Sequence, residues 1–246
     1  MGITYGNITL KKVHQDTLIE YLSEINLDAY VSPTINQFTT VYDKASSYKE
    51  KAELDKVAKL DSRSKKILKQ YSYEPYAYLI CLASHLSEKF SCPALAIFIY
   101  DGDIFWYHLC ENGIMLDEYT THGDKNWQPG KIINIFTEGK IKGGDAEKLC
   151  NAFGVKEKIE QVETILRRPC LNNNKALLDT ETYWSPLIRF EELAIALGIN
   201  PSWVVGPADY AGIVNHDIEV CFELDDVPSF EEALSMLKKT QISSPR

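Results

Sequence analysis

Two dipeptides, Asp101-Gly102 and Asn112-Gly113, cut the stretch from Pro93 to Thr120 into three apolar runs. No other feature constrains the fold as much. Asp-Gly and Asn-Gly favour two-residue hairpin turns, because both central positions need φ > 0 and Gly reaches it without a Cβ clash. The runs Ala94 to Tyr100, Ile104 to Cys110 and Ile114 to Tyr119 are therefore predicted to form an antiparallel meander. The first run has no polar face, as expected of a central strand covered on both sides. The third carries Asp117 and Glu118 side by side, which places it nearer a sheet edge, where charges discourage further pairing.

Upstream of the meander, Tyr76, Leu79, Ile80, Ala83, Leu86 and Phe90 repeat at three and four residues, predicting a helix from Pro75 to Phe90. Proline suits its first turn, and the apolar face is expected to pack on the sheet. Before it, Ile8 to Val13 reads as a strand and Ile35 to Tyr42 as another. Between them a helix is predicted to start near Asp16 or Thr17, where Thr17 and Glu20 have capping-box spacing. Ser46 to Gln70 is polar and Lys-rich with a thin apolar face, and reads as a solvent-facing helix or a linker.

Beyond Thr120 the pattern fails until Gly144, apart from the short apolar run Ile132 to Phe136. A connection of this length is uncommon inside a compact domain and marks a lobe boundary. Three helical stripes follow. They are Ala146, Leu149, Cys150 and Phe153, closed by Gly154; Ile159, Val162, Ile165 and Leu166, closed by Arg167-Arg168-Pro169; and Phe190, Leu193, Ala194 and Leu197, closed by Gly198. Val204-Val205, Tyr210 to Val214 and Asp217 to Leu224 read as strands, and Ser229 with Glu232 opens a last helix. The expected class is α+β, an antiparallel meander sheet packed against helices with a second, smaller α+β lobe. Its parts are residues 1–125, an irregular connection at 126–144, and a lobe of helices and strands at 145–246.

A net charge of −9 over 246 residues excludes a general nucleic-acid binder, whose phosphate contacts need a concentrated basic surface. Charge is uneven. Lys44 to Gln70 holds nine Lys or Arg against four acids, whereas Pro207 to Leu237 holds eight acids and no Lys or Arg, an acidic surface suited to a basic partner. Cysteines at 81, 92, 110, 150, 170 and 221 form no C-x-x-C pair and read as reduced, mostly buried thiols. No basic region precedes an apolar core near the N-terminus, and no apolar run reaches membrane-spanning length. A cytoplasmic location without membrane contact is expected.

Chemistry-bearing patterns are few. Asp101-Gly102-Asp103 resembles the Asp-x-Asp signature with which nucleotide-sugar glycosyltransferases hold a divalent cation, since two carboxylates one residue apart can share a hard ion. An immediate hairpin follows it and no Gly-rich strand-to-helix unit precedes it, so turn chemistry is the competing and favoured explanation. Cys81 with His85 on a helix, and His108 with Cys110 on a strand, would make a four-ligand zinc site if the elements met. Buried thiols and hydrogen-bonded histidines explain them equally. Gly143-Gly144-Asp145 could present amides to an anion, but Asp145 is expected to fill that place as a helix cap. His122, Asp124 and Trp127, in the irregular connection, are the residues expected to bind a ligand or partner.

Leu82-Ala83-Ser84-His85-Leu86-Ser87, Cys92-Pro93-Ala94-Leu95-Ala96, Tyr107 to Tyr119 and Gly143-Gly144-Asp145-Ala146 together resemble uncharacterised bacterial proteins over most of the chain after Glu74. The resemblance implies a bacterial cytosolic protein and transfers no catalytic residue. The expected function is that of a non-catalytic interaction or regulatory factor, immunity- or adaptor-like, without a cofactor and with a basic protein as partner. The alternative is a divalent-cation-dependent hydrolase or transferase using Asp101 and Asp103.

Overall fold

A computed structural model describes residues 4–43, 56–70, 75–100, 102, 104–123, 140–168, 186–204 and 235–241. The elements run β1 (Tyr5–Lys11), α1 (Gln15–Glu24), β2 (Ala29–Val31), β3 (Phe38–Asp43), α2 (Ser62–Gln70), α3 (Pro75–Phe90), β4 (Pro93–Tyr100), β5 (Ile104–Glu111), β6 (Ile114–Gly123), β7 (Lys140–Gly143), α4 (Ala146–Phe153), α5 (Ile159–Arg167), α6 (Pro186–Ala196) and β8 (Lys238–Lys239). The strands form one antiparallel sheet in the order β7-β6-β5-β4-β1-β3-β2-β8. The fold is α+β.

The meander β4-β5-β6 is present as predicted. Asn112 and Gly113 both have positive φ, 51° and 73°, as a primed turn requires. β4 is buried along six consecutive positions because each of its faces has its own core. On one face Ala94, Ala96 and Phe98 join Ile8, Leu10, Trp106 and Cys110 beneath Leu18 and Leu22 of α1, Leu68 of α2 and the apolar face of α3. On the other, Leu95, Ile97 and Ile99 join Phe105, Tyr107, Leu109 and Tyr119 beneath Leu149 and Phe153 of α4, Val162 and Leu166 of α5, and Phe190 and Leu193 of α6. Helices from after residue 145 thus share a core with strands from before residue 125.

Several local expectations change. α1 starts at Gln15, ahead of the predicted Thr17 cap, because the Gln15 N–H finds the Thr34 hydroxyl at 2.9 Å and Gln15 Nε2 reaches Val31 O at 3.0 Å. β2 is three residues long, too short to show a period. The strand read from Ile35 begins instead at Phe38, with Ile35 and Phe38 joined by an isolated bridge. Val204 follows a 3-10 turn over Pro201–Trp203 rather than opening a strand. The runs Ile132 to Phe136, Tyr210 to Val214 and Asp217 to Leu224, and the helix opening at Ser229, lie outside the described residues.

β6 is second from the sheet edge, nearer an edge as predicted, and the edge strand β7 pairs with it at Tyr119↔Gly143 and Thr120↔Lys142. Asp117 and Glu118 do not guard an edge. Both are buried, one on each face of the sheet. Asp117 Oδ2 accepts the Tyr107 hydroxyl at 2.6 Å and the Asp145 N–H at 2.7 Å, and Glu118 Oε1 accepts the Trp106 indole N–H at 3.0 Å. Burial outweighs these donors at Asp117 and pushes its carboxyl above the usual carboxylate range.

Beyond the sheet, Asp145 caps α4 through Lys148 N at 3.0 Å, and Gly154 ends that helix at φ 73°, both as predicted. The end of α5 is closed from outside. Buried Arg189 of α6 donates to Ile165 O at 3.2 Å, to Leu166 O at 2.9 Å and to Arg168 O, while Arg167 turns to Gly143 O at 2.7 Å.

Candidate functional site

Of the residues expected to bind, His122 lies on β6 rather than in a loop. It is half-buried, and its N–H donates to Thr120 Oγ1 at 3.0 Å. Asp124 and Trp127 lie outside the described residues, as do Asp101 and Asp103.

The four candidate zinc ligands are tied to other groups or stand apart. Cys81 Sγ donates to Ser64 O at 3.4 Å, and Cys110 Sγ to Ala94 O at 3.6 Å. Burial pushes both thiols up to about 12. His108 is fully buried, stacks on Trp106 with ring centroids 6.1 Å apart, and among the described residues finds a hydrogen-bond partner for neither ring nitrogen. Among the described residues no group of three or more His, Cys, Asp or Glu side chains is placed to hold a metal ion.

His85 belongs to a different constellation, a hydrogen-bonded chain across three helices. The Tyr21 hydroxyl of α1 lies 2.5 Å from His85 Nε2 of α3, and His85 Nδ1 lies 2.9 Å from Asp61 Oδ2, just before α2. Asp61 Oδ1 also accepts the Ser64 N–H at 2.6 Å, so it caps α2. A carboxylate can only accept, which assigns the proton to Nδ1 and leaves Nε2 to accept from the tyrosine. Burial alone would raise the Asp61 carboxyl. The Ser64 amide and His85 outweigh it and hold the group below the ordinary carboxylate range. Tyr21 is raised by burial, with Glu24 and Asp61 adding to the effect. The Lys89 ammonium sits 4.5 Å from the Tyr21 ring centroid and Phe90 meets the ring edge-on at 5.5 Å.

Nothing local in the sequence points to this chain. Tyr21 and His85 are 64 positions apart, and His85 and Asp61 are 24 apart. The one local signal is the spacing of Asp61 three residues before Ser64 at the start of a helix, which suits a cap.

At the far end of the meander the β5–β6 turn stands out for the opposite reason, because it exposes apolar groups. Ile114 is 64% exposed and Met115 41%, beside a turn that is clamped from behind. Arg63 Nη1 donates to Gly113 O at 2.8 Å while its Nη2 pairs with Glu88 at 3.2 Å, and Gly113 N donates to Ser87 Oγ at 3.2 Å. A Cβ at Gly113 would lie 2.0 Å from Arg63 Nη1, so only glycine allows this clamp.

The amides around Gly143-Gly144-Asp145 are already engaged. Gly144 N donates to Glu118 O at 3.1 Å and Asp145 N to Asp117, beside an open depression of about 360 Å³ that Arg167 and Glu163 help to line. No protein-family model matches the chain, and neither a curated protein nor a solved structure matches it.

Proposed function

We propose that this chain is a protein-binding factor of the regulatory, immunity- or adaptor-like kind, and that the β5–β6 tip is its contact point for a basic protein partner. The observation that carries this is the pairing of two adjacent exposed apolar side chains, Ile114 and Met115, with a turn fixed by Arg63 and Ser87. A rigid apolar tip costs little ordering entropy when it enters a socket on another protein. Large apolar side chains at the centre of a contact, ringed by polar groups, are where binding energy concentrates. Polar groups lie close by, Arg63 on the Gly113 carbonyl and Glu88, and Lys148 on the Leu116 carbonyl. The net charge of −9 supports a partner of opposite sign, with the association weakened by salt.

The test is a capture experiment with two baits, the wild-type chain and Ile114→Asp/Met115→Asp, each at low and moderate salt. A stoichiometric basic protein should appear on the wild-type bait, fall at least tenfold on the double variant, and decline with salt. Recovery of the same proteins in equal amount on both baits would overturn the assignment.

A further inference from the structure

The arrangement Asp61, His85, Tyr21 has the order of a nucleophilic triad, with a carboxylate that orients an imidazole and an imidazole nitrogen that faces a hydroxyl. Such chains are recognised by geometry and roles, not by residue order. Both links are at hydrogen-bond length, 2.9 Å and 2.5 Å. None of the three side chains is sealed in the core, His85 being 14% and Asp61 27% exposed and Tyr21 partly exposed. We propose that Tyr21 is a nucleophilic tyrosine, activated by His85 and Asp61, that accepts an acyl group from an activated acyl donor.

In this step Tyr21 Oη attacks the carbonyl carbon while its proton passes to His85 Nε2. The imidazolium is steadied by its Nδ1–H bond to Asp61. The tetrahedral adduct then expels the leaving group, which takes the proton back from Nε2. The products are O-acyl Tyr21 and the protonated leaving group, with His85 and Asp61 returned to their starting states. Lys89, 4.5 Å from the ring centroid, favours negative charge developing on the phenol, whereas Glu24 on α1 and Asp61 before α2 oppose a standing tyrosinate. Tyr21 is therefore protonated at rest. Its reactivity depends on His85 at the moment of bond formation, and without His85 it is slower than an ordinary tyrosine.

Tyr30 supplies an internal control, being half-buried with the Lys239 ammonium 5.6 Å from its ring centroid. The experiment treats the full chain with N-acetylimidazole and maps acetylation by mass spectrometry. Tyr21 should be acetylated at least tenfold faster than Tyr30. The ratio should drop at least tenfold in His85→Gln at an unchanged thermal midpoint. Acetylation of Tyr21 no faster than Tyr30 in the wild-type chain would overturn the proposal whether or not the variant folds. So would a ratio that His85→Gln leaves unmoved.

Discussion

Glu118 lies directly opposite His108 on the β5–β6 ladder, yet its carboxylate takes the Trp106 indole and, among the described residues, His108 finds a hydrogen-bond partner for neither ring nitrogen. A buried, unpaired imidazole cannot afford a charge. Burial lowers His108 from 6.5 to about 4. Protonation therefore favours the unfolded chain, so this contribution is complete above about pH 6.5 and is lost as pH falls towards 4, about 3 kcal/mol in all. Urea unfolding at pH 7 and pH 5 should show the loss. In His108→Leu the part due to this residue should vanish, with stability at pH 5 above wild type, because an apolar replacement leaves no orphaned nitrogen.

Asp117 is the counterpart on the other face. It gathers the Tyr107 hydroxyl and the Asp145 amide, so Asp117→Ala strands both donors in the core and is expected to cost about 3 kcal/mol. Because burial raises its pKa, the charged form is the disfavoured one. Its contribution is greatest at low pH and diminishes as pH rises through the raised value. Denaturant titration of Asp117→Ala, Tyr107→Phe and the double variant should give a double-variant loss smaller than the sum of the two single losses.

The sequence was informative where its signals were local. The meander was legible because Asn112-Gly113 and the apolar runs on either side act over a few residues, and the α4 caps at Asp145 and Gly154 were legible for the same reason. The roles of Asp117 and Glu118 were not, since an acid on a strand looks alike whether it faces water or a buried donor. The pairings Tyr21–His85–Asp61 and Arg189–Tyr119 join residues brought together only by the complete sheet and its two helical layers. The exposed pair Ile114 and Met115 read as part of a strand because their period says nothing about what covers them.

Arg189 is expected to be intolerant even of lysine. Its guanidinium serves Tyr119 Oη at 2.7 Å and three backbone carbonyls at the end of α5 at once. A single ammonium cannot reproduce that fork. Arg189→Lys should lose about 2 kcal/mol and Arg189→Ala about 3 kcal/mol in denaturant unfolding, from the carbonyls and the Tyr119 hydroxyl that lose this donor. Equal stability of Arg189→Lys and wild type would contradict this role.

Three buried cysteines should be silent in the native protein. Burial pushes Cys81 and Cys110 up to about 12 and Cys92 up to about 11, leaving almost no thiolate at pH 8. Iodoacetamide at pH 8 followed by peptide mapping should leave these three unmodified until denaturant is added, whereupon all three react. Rapid native alkylation of any one of them would show that its cover opens.

The most direct measurement of the central claim, that this chain binds a partner through the β5–β6 tip, is amide hydrogen exchange with and without the basic protein captured on the wild-type bait. Protection gained at 111–116, and absent with Ile114→Asp/Met115→Asp, is the predicted result. Protection confined to another surface, such as the exposed face of α6 around Ile195, with the tip exchanging as in the free chain, would contradict it.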